Sequence, residues 1–331
     1  MFIQFLHSET EHDNQTGWNY GDHFRKFVKA KGSYIKNYTI NSEVYPSELV
    51  FWCEWEPQSK VKTLTKLTRD YPQYLYEPYF DLSAPLTKKI GKDYVNRQNT
   101  DPFVFGENFH FFVCRQATKK GYTELSNLQP GDVILFGSHR REWIDKAKTQ
   151  KKMWYIVDTV FVVSDKPAPI IYTPDNFVHM VKPNVSDAYY NISFISLFSS
   201  NLHSQISVPT KKGFKLYSGA TYSNPINGMF SFVPALPFKT ETTSGFERPT
   251  ISIPDVISNG LNTSFKLSKV NAAQTKLYWE EVAKQVLNQG LFLGINIEMP
   301  ENKTQKNYKL ENEAIIKGIN DCIPEWENAN K

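Results

Sequence analysis

Short apolar runs separated by polar or proline-containing stretches dominate the chain, and few of them repeat with helical spacing. Phe2–Leu6 predicts a first strand, followed by a polar loop from His7 to Tyr20. Asp22-His-Phe-Arg-Lys-Phe-Val-Lys places Phe24, Phe27 and Val28 at i, i+3 and i+4 behind a capping Asp22, which predicts a short helix. Glu48–Trp55 predicts a strand, and Phe103–Cys114 an aromatic strand pair around Gly106. Leu128-Gln-Pro-Gly-Asp-Val-Ile-Leu-Phe reads as a turn feeding a strand, and Met153–Val163 as a buried β-branched and aromatic strand. Between them, His139–Lys152 is a basic excursion, either a hairpin or a short helix. Pro167–Pro183 reads as loop, Gly228–Pro234 as a strand and Lys239–Phe265 as an extended, turn-rich segment. The one long helix is expected at Ala272–Gln289, with Leu277, Val282, Val286 and Leu287 apolar and Gly290 as its stop. A strand follows at Leu291–Ile297.

This order predicts an α+β protein in which many short strands form a partly closed barrel or twisted mixed sheet with a few flanking helices. The expected organisation is one large domain over residues 1–300, with a possible subdivision near 165. Residues 301–331 read as a polar tail with a short helix around Asn312–Ile319.

Composition narrows the classes. Hydrophobic residues make up 40% of the 331 positions and charged residues 22%, which excludes a disordered chain. No apolar run approaches the roughly 18 residues of a membrane span, and the first residues lack the basic and apolar regions of a secretory signal. Cys53, Cys114 and Cys322 form neither a CxxC pair nor an even set, so a cytoplasmic protein without a disulfide framework is expected. P-loop, dinucleotide-binding and nucleophile-elbow patterns are absent. His7 and His12 flank Glu9 and Glu11 without metal-site spacing, so no metal and no cofactor is expected.

Three candidate clusters remain. In Trp52-Cys-Glu-Trp-Glu-Pro, Glu54 and Glu56 lie two residues apart beside indole rings, an arrangement able to hold a flat or sugar-bearing ligand and raise one carboxyl pKa. The plain alternative is a strand end whose acids are solvated or paired with arginine. In Gln98-Asn-Thr-Asp-Pro-Phe-Val-Phe-Gly, Pro102 fixes the direction of Asp101, while Phe103 and Phe105 share a face that could stack on a base. The third signal is a set of basic segments interleaved with rings, including Arg25, Lys26, Arg140 and Arg141, suited to a nucleic-acid backbone. The net charge of only +4 counts against a strong electrostatic footprint.

Thr100-Asp-Pro-Phe resembles the water-activating motif of uracil-DNA glycosylases, although the companion His-Pro-Ser loop is missing. More widely, Phe2–His7, Glu48–Pro57, Asn99–Gly106, Gly131–Ser138, Asp158–Val163, Gly228–Pro234 and Val286–Gly294 resemble a widespread bacterial family linked to modified-nucleobase biology and phage defence. Gly131–Phe136 also resembles the strand entry of PUA-like (ASCH and EVE) barrels, which bind modified bases. The resemblance implies recognition of a modified nucleobase in DNA, with modified cytosine as the expected target, and hydrolysis of its N-glycosidic bond. Base flipping would place the target between Trp52, Phe103 or Phe105. A carboxylate, Asp101 first and then Glu56 or Glu54, would stabilise the oxocarbenium-like sugar or orient water, and Asn99, Arg115, Gln116 and His12 would contact the substrate. Arg25, Lys26, Arg140 and Arg141 would hold the DNA backbone. A non-catalytic reader of modified nucleic acid, or an enzyme acting on a small molecule or sugar, stands as the alternative.

Overall fold

A computed structural model describes residues 1–7, 11, 24–82, 88–90, 93–95, 100–118, 120–195, 213–239 and 244–303. In chain order its strands begin with β1 Phe2–Leu6, β2 Lys26–Ile35, β3 Tyr45–Cys53, β4 Ser59–Thr63, β5 Tyr74–Phe80, β6 Lys88–Ile90 and β7 Asp93–Val95. Next come β8 His110–Phe111, β9 Ala117–Thr118, β10 Gly121–Tyr122, β11 Val133–Trp143, β12 Lys151–Val162, β13 Ile170–Tyr172 and β14 Phe214–Ser218. The last are β15 Val233–Pro237, β16 Thr250–Ile251, β17 Phe265–Ser268, β18 Phe292–Ile297 and β19 Glu301–Asn302.

Strands β2, β3, β15 and β18 pair antiparallel in a ring, so the expected barrel is closed on four strands. Closure brings β2 and β18 into contact at Gly32, where a Cβ would lie 2.3 Å from the Asn296 carbonyl oxygen. Strand β5 adds to β2 and carries β4 and β19. A second sheet runs β16-β12-β11-β1-β17, in which β1 and β11 are parallel. Three short strands, β13-β14-β8, form a third.

The strands around the centre are covered on both faces, and period-two alternation assigns their side chains to two cores. From β3, Leu49, Phe51 and Cys53 enter one core, while Val50 and Trp52 enter the other. From β1, Ile3 and Phe5 point one way and Phe2 the other. Gln4 is buried between them and exchanges two 2.9 Å hydrogen bonds with the Ser258 backbone.

The expected helix over 22–29 is corrected. Its described part enters β2, with Val28 in one core and Phe27 in the other. A strand buried on both faces loses its polar alternation, and its apolar positions then mimic helical spacing by accident.

The long helix forms at Ala272–Asn288, with the Asn271 side chain accepting from the Gln274 amide at 2.8 Å. Its buried stripe is Thr275, Trp279, Val282, Ala283 and Val286. Leu277, expected on that stripe, is exposed. The basic excursion is a hairpin of β11 and β12, not a helix. The expected helix around 312–319 lies outside the described residues. Among the described residues no helix is long and apolar enough to cross a membrane.

Candidate functional site

Strand β3 leaves the sheet at Cys53, opposite Lys26 at the start of β2. This register sets Glu54 beside Arg25 where the two strands diverge. The third contributor is Asp158. Between Phe136 and Gly137 the β11–β12 register slips, pairing Phe136 with Thr159 and Gly137 with Val157, so Asp158 is the unpaired residue of a bulge. Gly137 makes the bulge possible, because a Cβ there would lie 2.0 Å from the Ile156 carbonyl oxygen. Strand β1 ends beside the same point and delivers His7, which packs against the Phe5 and Phe136 rings.

Arg25 is the hub of this constellation and is almost fully buried. Its Nη1 donates to Glu54 Oε2 at 3.0 Å, Nε lies 3.3 Å from Asp158 Oδ2, and Nη2 meets His7 Nδ1. His7 Nδ1 also lies 3.2 Å from Glu54 Oε2. The other ring nitrogen, His7 Nε2, is buried and carries no hydrogen bond. Arg248 closes the far side. Its Nη1 donates to Ser138 Oγ at 2.9 Å and lies 3.4 Å from Asp158 Oδ1, while its guanidinium sits 5.3 Å from the centre of the Trp52 ring. Burial pushes the Asp158 carboxyl above the usual range, against the pull of Arg248 and Arg25.

Beside the hub, Lys26 is buried and donates to the Pro57 carbonyl at 3.1 Å. Burial lowers its ammonium to about 7, opposed mainly by the nearby Glu56. Glu56 is itself buried, and its backbone amide donates to Thr100 Oγ1 at 3.2 Å, tying this segment to the Asp101 turn. Asp101 accepts from the backbone amides of Phe112 at 3.0 Å, Val113 at 3.0 Å and Cys114 at 2.7 Å. Burial nevertheless raises its carboxyl to about 7, with those three bonds pulling it down. Asp101 thus anchors the chain after β8.

The other expected site residues separate by burial. Trp52, Phe103 and Phe105 are core rings rather than a base sandwich. Trp52 donates its indole N–H to the Phe246 carbonyl at 2.9 Å, and Phe103 and Phe105 pack on Trp55. Arg25 and Lys26, expected on a phosphate backbone, face buried carboxylates and a carbonyl. Gln116 is buried and engages the Lys215 backbone through both amide atoms, at 2.7 and 2.9 Å, which leaves it a structural role. Arg115 is exposed, in the left-handed region at φ 60°. Arg140 pairs with Asp70 at 3.0 Å and with Glu247, whereas Arg141 is exposed. Asn99 and His12 lie outside the described residues.

Among the described residues no three His, Cys, Asp or Glu side chains gather as a metal site. Glu11 instead receives the amides of Gln73 and Tyr74 at 2.7 and 3.0 Å. Burial pushes the Cys53 and Cys114 thiols up, away from nucleophilic thiolate.

Asp158 and Arg248 carry no site signal in the sequence analysis, and His7 was weighed there only as a metal ligand. Asp158 looked like a lone acid inside an apolar strand run, and that mismatch is the one signal that could have marked it. Two carboxylates, two guanidiniums and an imidazole with one unengaged nitrogen form a set able to stabilise a cationic centre and accept a proton. Compared with known proteins, the chain matches no family model, no curated protein and no solved structure.

Proposed function

We propose that this protein recognises a modified nucleobase in DNA and hydrolyses its N-glycosidic bond at the Arg25-centred constellation. The observation that carries this reading is His7, whose Nδ1 lies 3.2 Å from Glu54 Oε2 while its buried Nε2 carries no hydrogen bond. We take the tautomer whose Nδ1–H faces the Glu54 carboxylate, which fixes the ring and leaves Nε2 able to accept a proton. In the reaction a water oxygen bonds to C1′ as the C1′–N bond breaks. The bonding pair leaves with the base, His7 Nε2 accepts one proton from the attacking water, and solvent supplies the proton that the departing base takes up. Glu54 supplies negative charge for the oxocarbenium-like sugar. Of the three carboxylates expected from sequence, Glu54 is the one joined to an imidazole. Asp101 has both oxygens engaged by backbone amides.

The test is incubation of the protein, without added metal, with plain DNA and with DNA carrying hydroxymethylated or glucosylated cytosines, scored for abasic sites and free base. The reading expects abasic sites in the modified DNA only, lost in Glu54→Gln while DNA retention persists. A second reading, a non-catalytic reader of modified DNA, is favoured by the core placement of Trp52, Phe103 and Phe105 and the full engagement of Asp101. It predicts salt-sensitive retention of modified DNA without any product. Neither product nor retention overturns both and returns the acid cluster to small-molecule chemistry.

A further inference from the structure

Beyond the sheet, β11 and β12 continue as a two-stranded ribbon. Strand β1 pairs with β11 only at Val133–Gly137, and β16 pairs with β12 only at Tyr155 and Ile156. Beyond those positions, among the described residues, Arg140–Trp143 and Lys151–Trp154 pair only with each other. Residues 140–152 hold six cations and two acids, a surplus of four that equals the net +4 of the whole chain, so all other residues together balance.

The ribbon's two faces differ. Directly opposed residues share a face, so Arg140, Trp154, Glu142 and Lys152 lie on one side. That side is fastened to the body through Arg140, which pairs with Asp70 and Glu247. The other side carries Arg141, Trp143, Lys151 and Met153 and no acid. Trp143 and Ile144 are among the most exposed large apolar side chains, at 46% and 63%. The tip is nevertheless ordered: the Asp145 carboxylate accepts the Thr149 and Gln150 amides at 2.9 Å, and the Ile144 amide donates to the Gln150 carbonyl at 3.0 Å. An exposed, cationic, internally fixed tip loses little entropy on binding.

We propose that this ribbon is a duplex-DNA grip, lying in the major groove with Arg141, Lys146 and Lys151 toward the phosphates and Trp143–Ile144 toward the base edges. The major groove is about 12 Å wide and admits a two-stranded ribbon. A single strand is the poorer fit, since binding of successive splayed bases needs a series of exposed rings, and this face presents one. The inference rests on DNA being the partner in the reading above, but not on catalysis.

The experiment measures retention of a short plain duplex across a salt series. Its arms are the intact chain, the triple variant Arg141→Gln/Lys146→Gln/Lys151→Gln, and a control with the same charge loss, Lys60→Gln/Lys62→Gln/Lys276→Gln. The ribbon variant is expected to flatten the log–log salt slope by up to about 2.7, while the control keeps it. Trp143→Ala weakens retention about tenfold at an unchanged slope. Equal losses in both triple variants, or a ribbon variant that binds like the intact chain, overturn the grip. So does ribbon-dependent retention on anionic vesicles with none on DNA. Glu54→Gln separates the two ideas. If modified DNA is cut but the ribbon variant binds normally, the grip fails alone. If the ribbon governs retention but no base is released, the hydrolase reading fails alone.

Discussion

Asp101→Asn gives the sharpest physical test, because it turns one buried carboxylate into a measurable pH slope. In the folded protein the Asp101 carboxyl sits at about 7, raised from 3.8 by burial against three backbone hydrogen bonds. The folded state therefore binds this proton more tightly than the unfolded chain between those two values. Stability from this group is fully present below pH 3.8 and is lost as pH rises through 7. Three units at about 1.4 kcal/mol each give a loss of roughly 4 kcal/mol across the window. The amide variant does not titrate and keeps one acceptor oxygen for the Phe112–Cys114 amides, whereas its NH2 group cannot accept from them. Urea unfolding followed by tryptophan fluorescence, at steps from about pH 4 to pH 8, should show the variant gaining on the native chain by that amount. Taking the difference cancels every other titrating group. A difference that stays flat refutes the burial argument. A variant that loses ground as pH rises would mean that the three amide bonds outweigh desolvation.

Three other outcomes follow from the same geometry. Arg25→Met leaves Glu54 and Asp158 buried without their shared cation and should cost about 3–5 kcal/mol in urea unfolding; a loss below about 1 kcal/mol would show that the carboxylates do not depend on it. Lys26 has its folded ammonium lowered to about 7 from 10.5 by burial, so stability rises with pH between those values. Lys26→Met should remove that rise, and an unchanged slope would rule out Lys26 as its source. Gly32→Ala forces a Cβ against the Asn296 carbonyl where the barrel closes and should unfold the protein well below the native midpoint. Gly260→Ala, with open space around it, should stay within about 0.5 kcal/mol.

Where one chemical pattern sufficed, the sequence was legible. Val133–Phe136 and Met153–Val162 are long enough runs of β-branched and aromatic residues to specify strands without help from the rest of the chain. The helix at 272–288 was equally clear from its apolar spacing and its glycine stop, although Trp279 rather than Leu277 faces the core. Barrel closure was not readable as such, because the β2–β18 pairing joins residues more than 250 positions apart and depends on one backbone approach at Gly32. The site was half legible. Glu54 and Glu56 stood out beside their tryptophans, but Asp158 reaches the site only through a bulge, and bulges leave little trace in hydropathy.

The basic residues show most plainly why local sequence misassigns roles. Arg25-Lys26 and Arg140-Arg141 look alike as dipeptides beside apolar runs. Their fates are decided by how many strands flank them. Lys26 starts a strand with β3 on one edge and both faces covered, so its charge and that of Arg25 are forced inward. Burying two cations is costly enough that acids must meet them there, which is what Glu54, Glu56 and Asp158 do. Arg140 and Arg141 lie after β11 has outrun its pairing with β1, where one face of the ribbon is open to water. The same step that carries the chain past the sheet edge therefore separates a cation that organises a buried acid cluster from one available to a phosphate. Arg141→Gln should alter salt dependence and leave stability unchanged, while Arg25→Gln should destabilise the fold as the Arg25→Met change does. A large stability loss in Arg141→Gln would refute it.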